Sequence, residues 1–172
     1  MKSLVLIGAP GSGKSTIGRV LAAKAHVPFI DTDQLIEKQA GESISGIFVD
    51  KGEAYFRSLE REQVGQSLRE ALRVPVILSL GGGSVLDPET QQELGQHEVA
   101  WLQVNIAEAL KRVGMNQSRP LLLGNVRANM INMLQERTPI YQSLANVTID
   151  TSGRSPEECA QELLTFLKEQ RD

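Results

Sequence analysis

The sequence predicts a three-layer α/β fold: a five-stranded, mostly parallel sheet flanked by helices on both faces. Two observations carry this. Five short apolar runs alternate with longer segments of helical periodicity, and the runs are nearly continuous in Val, Ile and Leu, as strands covered on both faces must be. The first run also passes through a glycine-rich loop straight into a helix. At 172 residues the chain is long enough for one such domain, residues 1–172, with a sizeable core.

The first strand spans 2–8 and the first helix 14–25. Between them lies Gly8-x-x-x-x-Gly13-Lys14-Ser15, a phosphate-binding loop in the strand–loop–helix context that its chemistry requires. Glycines at 8, 11 and 13 let the backbone close around an anion. Gly11, Ser12, Gly13, Lys14, Ser15 and Thr16 then face a nucleotide's phosphates, helped by the positive end of the helix. Lys14 is a mobile charge for the β- and γ-oxygens, and the Ser15 hydroxyl suits Mg²⁺. A short strand at 28–31 follows, then helical segments at about 33–50 and 53–73 and a strand at 74–80. The loop Gly81-Gly82-Gly83, a short helix after Asp87-Pro88 and a strand at 99–104 come next. The remainder reads as helix 106–113, an irregular stretch 114–126, helix 127–144 broken near Pro139, strand 147–149 and helix 156–170.

Composition narrows the function. Eighteen basic against 21 acidic side chains give a formal charge of −3 without a basic cluster, which argues against a nucleic-acid partner. The apolar start is too short for a signal or membrane segment, so a soluble, cytoplasmic protein is expected, and a monomer in the absence of an apolar stripe. Cys159 shares a helical face with Leu163, Phe166 and Leu167 and reads as core. His26 and His97 lie far apart and away from the cysteine, which argues against a zinc site.

Ligands of such sheets gather at the carboxyl ends of the strands. There the chain places the glycine loop, then Asp31-Thr32-Asp33, then Gly81 to Gly83, then Asp150 to Arg154. Two carboxylates as close as Asp31 and Asp33 repel unless a cation or proton lies between them, which Mg²⁺·ATP supplies. Capping of the following helix by Thr32 or Asp33 is the simpler alternative for one member of the group. The third strand ends without the acid common in phosphate-loop enzymes, since Ser79 occupies that region.

In joint order, Gly8-Ala-Pro-Gly-Ser-Gly-Lys-Ser-Thr16, Asp31-Thr-Asp33, Phe56-Arg57-x-x-Glu60, Gly81-Gly-Gly83, Arg119-Pro-Leu-Leu122 and Arg137-x-Pro139-x-Tyr141 resemble the shikimate kinases over nearly the whole chain. The resemblance implies a P-loop NTPase fold of the nucleoside-monophosphate-kinase type with a mobile lid at about 114–125. It implies transfer of a phosphoryl group from ATP, with Mg²⁺, to the 3-hydroxyl of shikimate, a step toward chorismate and the aromatic amino acids. By the same resemblance Lys14, Asp33 and Arg119 are catalytic, Ser15 and Asp31 serve the metal, and Arg112, Arg119, Arg154 and Pro156 join the loop in holding the nucleotide. Asp33, Arg57, Gly81, Gly82, Gly83 and Arg137 hold shikimate, the two arginines taking its carboxylate. Glu60, one helical turn from Arg57, could fix its guanidinium, the alternative being a routine i,i+3 surface pair, and Arg137 alone reads equally as a solvated helix residue or a dipole partner near Pro139. A kinase of gluconate or of a nucleoside monophosphate is the nearest rival, and a nucleotide-responsive module without turnover is the rival from another class.

Overall fold

The computed structural model describes residues 1–116 and 123–171. Strands β1 (Leu4–Ile7), β2 (Phe29–Asp31), β3 (Ile77–Ser79), β4 (Glu98–Gln103) and β5 (Val147–Asp150) pair in parallel throughout, in the order β2-β3-β1-β4-β5. The chain thus starts in the centre of the sheet. Asp31 pairs with Ser79 and Ser79 with Leu6, so one register aligns the ends of β2, β3 and β1.

All four side chains of β1 are buried, and they alternate between two cores. Leu4 and Leu6 pack under α1 (Lys14–Ala25) and α8 (Pro156–Glu169), with Leu21, Cys159 and Leu163. Val5 and Ile7 pack under α4 (Glu53–Ala71), α5 (Pro88–Leu94) and α7 (Leu123–Leu144), with Leu68, Leu94, Trp101 and Tyr141. Smaller clusters fix the remaining helices. Ile36 of α2 (Thr32–Ala40), Ile47 of α3 (Ile44–Lys51) and Phe56 form one, and Ala109 of α6 (Ile106–Asn116) with Met130 of α7 belongs to another. Among the described residues, no helix is long and apolar enough to cross a membrane.

Several expected boundaries move, each for a local reason. The helical stretch 33–50 is two helices, because Gly41 adopts φ +67° and the Ser43 hydroxyl then caps α3 by accepting from Gly46 N–H. β3 is shorter than 74–80, since Val74 is exposed and Pro75 has no N–H to pair. The irregular stretch 114–126 is helical at both described ends, where Leu110 and Val113 of α6 pack with Met133 and Leu134 of α7. Residues 117–122 of the expected lid, Arg119 among them, lie outside the described residues. Pro139 does not break α7, because Ile140, Tyr141 and Leu144 anchor the turn beyond it to the core. His26 terminates α1 in a left-handed conformation, φ +57°, with its backbone N–H on Ala22 and Ala23 carbonyls.

Candidate active site

The aligned strand ends open into a cleft of about 500 Å³ lined by the glycine loop, Asp31, Asp33, Gly81, Gly82 and Arg112. Gly8, Gly11 and Gly13 all carry positive φ. A Cβ on Gly8 would come 2.6 Å from the Leu102 carbonyl oxygen, so the loop can turn there only without one. Gly13 precedes α1 without a side-chain cap, which leaves the first N–H groups of the helix for an anion. Lys14 lies folded over this cradle, its Nζ donating to the carbonyl oxygens of Gly8 (2.7 Å) and Ala9 (3.1 Å). Burial lowers its pKa to about 8; Asp33 and Asp31 oppose that shift, and Arg137 reinforces it.

Asp31 has two tasks. Its Oδ1 accepts from the N–H groups of Asp33 (2.9 Å) and Gln34 (3.4 Å), which makes Asp31 the cap of α2, in place of the expected Thr32 or Asp33. Its Oδ2 accepts from the Ser15 hydroxyl at 2.8 Å. A carboxylate and a hydroxyl this close beside a phosphate cradle are hard oxygen donors suited to Mg²⁺, which takes few protein ligands and fills its shell with water and phosphate oxygens. Among the described residues no group of three or more His, Cys, Asp or Glu side chains is placed to hold a metal ion. Thr32 is buried and joins the strand ends: its hydroxyl donates to the Ser79 carbonyl and accepts from Gly81 N–H, both at 3.3 Å.

Asp33 points into the cleft. Its Oδ1 is buried without a partner among the described residues. Burial, then the charges of Asp31 and Glu60, push its pKa up to about 6, against the pull of Lys14. An unpartnered buried carboxylate oxygen is costly to a fold, and this one sits on a residue that lines the cleft.

Gly81, Gly82 and Gly83 bring four charged side chains together. A Cβ on Gly81 would meet Asp33 Oδ1 at 2.6 Å and Glu60 Oε2 at 3.0 Å. One on Gly82 would meet Pro10 Cδ at 3.0 Å and Arg137 Nη1 at 3.4 Å, and one on Gly83 would meet Arg57 Nη1 at 2.5 Å. The glycines are therefore required by crowding: Asp33, Glu60, Arg57 and Arg137 all close on the same backbone. Buried Glu60 accepts from Arg57 Nη1 at 2.7 Å, as the one-turn spacing predicts. Arg137 Nε is buried and unpartnered among the described residues, as Asp33 Oδ1 is.

Arg112 is pinned beside the loop: Nη1 donates to the Gly11 carbonyl (3.1 Å) and Thr151 hydroxyl (3.2 Å), and Nη2 to Glu108 (2.8 Å) and the Thr151 carbonyl (3.2 Å). Arg154 donates to Glu162 at 2.6 Å and to the Asp150 carbonyl at 3.3 Å, and neither it nor Pro156 is among the residues lining the cleft. Ser155 and Glu158 form the capping box expected at the start of α8. A second cavity, about 350 Å³ around Ser3 and His97, contains none of these side chains. Thr32 and Tyr141, which the sequence motifs contain without assigning either a place in the site, both bond to the glycine loop, Thr32 at the Gly81 N–H and Tyr141 at the Gly82 carbonyl. For Tyr141 the available signal was its position one turn beyond Arg137 on α7.

A sequence model of the family described as Shikimate kinase matches residues 10–168. A shikimate kinase of Thermobifida fusca is 50% identical over 157 residues, 91% of this chain and 90% of the relative. That of Rhodococcus jostii is 44% identical over 166 residues, 96% and 97% of the two chains. The fold superposes on shikimate kinase from Acinetobacter baumannii in complex with shikimate with a TM-score of 0.89 at 29% identity, covering 99% of this chain and 95% of that one.

Proposed function

The chain belongs to the shikimate kinase family, and from that premise we propose that it transfers the γ-phosphoryl group of ATP to the 3-hydroxyl of shikimate, giving shikimate 3-phosphate and ADP. The observation that carries this reading is the gathering of Asp33, Arg137 and Arg57 on a glycine loop that abuts the phosphate cradle. Asp33 accepts a hydrogen bond from the acceptor hydroxyl and takes its proton as the oxygen attacks the γ-phosphorus; the bond from that phosphorus to the β–γ bridging oxygen breaks and ADP leaves. A pKa of about 6 leaves Asp33 mostly ionised at neutral pH yet basic enough to receive that proton. Lys14 moves from the Gly8 and Ala9 carbonyls onto the phosphate oxygens. Arg57, fixed by Glu60, and Arg137 receive the acceptor's carboxylate from two helices, α4 and α7. Ser15 and Asp31 would hold Mg²⁺, which when bound would supply positive charge against the phosphates. Arg119 enters as the residue that meets the transferred phosphoryl group, and Arg112, Arg154 and Pro156 as the adenine side. The reading takes residues 1–172 as one catalytic domain acting as a cytoplasmic monomer.

The test is ADP release from ATP·Mg²⁺ as shikimate is titrated, with gluconate and nucleoside monophosphates in parallel. Saturable ADP formation with shikimate alone is expected. Turnover of another acceptor in its place, or ATP binding without ADP formation, overturns the reading.

A further inference from the structure

Tyr141 is wholly buried on α7, yet its hydroxyl reaches the acceptor loop, donating to the Gly82 carbonyl oxygen at 2.6 Å. Its ring stacks on Trp101 of β4, with centroids 6.0 Å apart, so the phenol has a fixed origin in the core. The guanidinium of Arg137, one turn earlier on the same helix, flanks the same glycine, its Nη1 3.4 Å from where a Cβ on Gly82 would stand. The peptide held by this bond is the one joining Gly82 to Gly83. In a trans peptide the carbonyl and the N–H point to opposite sides, so anchoring the Gly82 oxygen on Tyr141 turns Gly83 N–H away from the core. Among the described residues no acceptor takes that N–H, and the Gly83 α-carbon beside it faces the Arg57 guanidinium.

We propose that Tyr141 is a positioning residue for the acceptor's carboxylate: its phenol holds the Gly82–Gly83 peptide in register with Arg137, so that backbone N–H and guanidinium converge on one anion. The inference rests on the assigned acceptor. A hydroxyl bonded only to a carbonyl in a packed core would be a structural bond alone; here that carbonyl belongs to a loop with no side chains of its own to fix it, and the loop needs an external anchor.

Tyr141→Phe removes the bond and keeps the ring. The assay compares shikimate with its decarboxylated analogue, the same cyclohexene triol lacking the carboxylate, in wild type and variant. Expected is a rise in KM for shikimate of roughly tenfold, the loss of one buried hydrogen bond, with KM for ATP within about twofold and no change in kcat/KM for the decarboxylated analogue. An equal fall for both acceptors, or an unchanged KM for shikimate, overturns the proposal. Wild type failing to phosphorylate shikimate would instead refute the function itself. Because the chain has only two tyrosines, and Tyr55 is exposed, 3-fluorotyrosine incorporation gives a second readout that does not depend on the variant folding. The buried ¹⁹F resonance should shift on saturation with shikimate and stay put with the decarboxylated analogue; no shift with shikimate overturns the proposal.

Discussion

Gly83→Ala isolates the Arg57 contact with a single methyl group. The backbone at Gly83 has φ −92° and ψ −3°, open to alanine, so no strain arises from the dihedrals. The added Cβ would meet Arg57 Nη1 at 2.5 Å, Nη2 at 2.7 Å and Cζ at 2.9 Å. The guanidinium must therefore retreat by about 1 Å to reach ordinary contact. Arg57 is 30% exposed and can swing outward, whereas its partner Glu60 is buried and cannot follow. Stability should fall by no more than about 1 kcal/mol, a thermal midpoint shift of roughly 2–4 °C for a chain of this size. Recognition should suffer more. Displacing one charge-assisted contact is worth about 1.5–3 kcal/mol, which at about 1.4 kcal/mol per decade raises KM for shikimate about 10- to 150-fold. The proposed ATP site is the loop at Gly8 to Thr16, so KM for ATP should stay within about twofold. Coupled ADP-release kinetics against both substrates, with a thermal melt of the same preparation, decide the matter. An unchanged KM for shikimate would falsify the placement of Arg57 at the carboxylate, and an equal rise for ATP would mean that the loop acts on the cleft as a whole.

Other groups give independent tests. Asp33→Asn should lower kcat at least about 100-fold while ATP still binds. It should also stabilise the fold. The Asp33 pKa is raised from 3.8 to about 6, so the folded state holds the proton more tightly and stability falls as pH rises through that window. The variant should therefore gain on the order of 2 kcal/mol at pH 7.5 and little near pH 4 in urea melts; equal stability at pH 7.5 would contradict the buried carboxylate. Lys14, at about 8 in the free protein, should regain a full charge when phosphate arrives. ATP binding at pH 8 should thus take up about half a proton, seen as a binding enthalpy that varies with the buffer's heat of ionisation, and a buffer-independent enthalpy would rule this out. Asp31→Asn keeps an oxygen to cap α2 but loses the charge beside Ser15, so the Mg²⁺ concentration for half-maximal rate should rise about tenfold or more with an unchanged melting temperature. An unaltered Mg²⁺ dependence would remove Asp31 from the metal's surroundings.

The fold was legible wherever a local rule governed it. Unbroken apolar runs gave five parallel strands, the Gly13-Lys14 junction gave the start of α1, and Ser155 with Glu158 gave the start of α8. It was less legible where tertiary packing outvoted the local rule. Pro139 breaks an isolated helix, but Ile140, Tyr141 and Leu144 bury enough surface beyond it to carry α7 onward. Gly41 and Ser43 did carry the signal that divides 33–50 in two, a left-handed glycine followed by a cap, but it was hidden inside a continuous helical period.

The candidate site divides along the same line. Its nucleotide half is a contiguous motif, because a phosphate is gripped by consecutive N–H groups and sequence order is spatial order there. Its acceptor half is assembled from α2, α4, α7 and the β3 exit, whose meeting depends on register across the sheet: Asp31 beside Ser79, Ser79 beside Leu6. From the residues alone, Arg57 with Glu60 is an ordinary helical ion pair and Arg137 a helix-end cation. Only the crowding around Gly81, Gly82 and Gly83 distinguishes them, because the same absent side chains make room for Asp33, Glu60, Arg137 and Arg57 in turn. A glycine run in a sequence looks like freedom, but in this fold it is closely constrained. The support it lacks from side chains of its own has to come from outside, from Thr32 at the Gly81 N–H and Tyr141 at the Gly82 carbonyl.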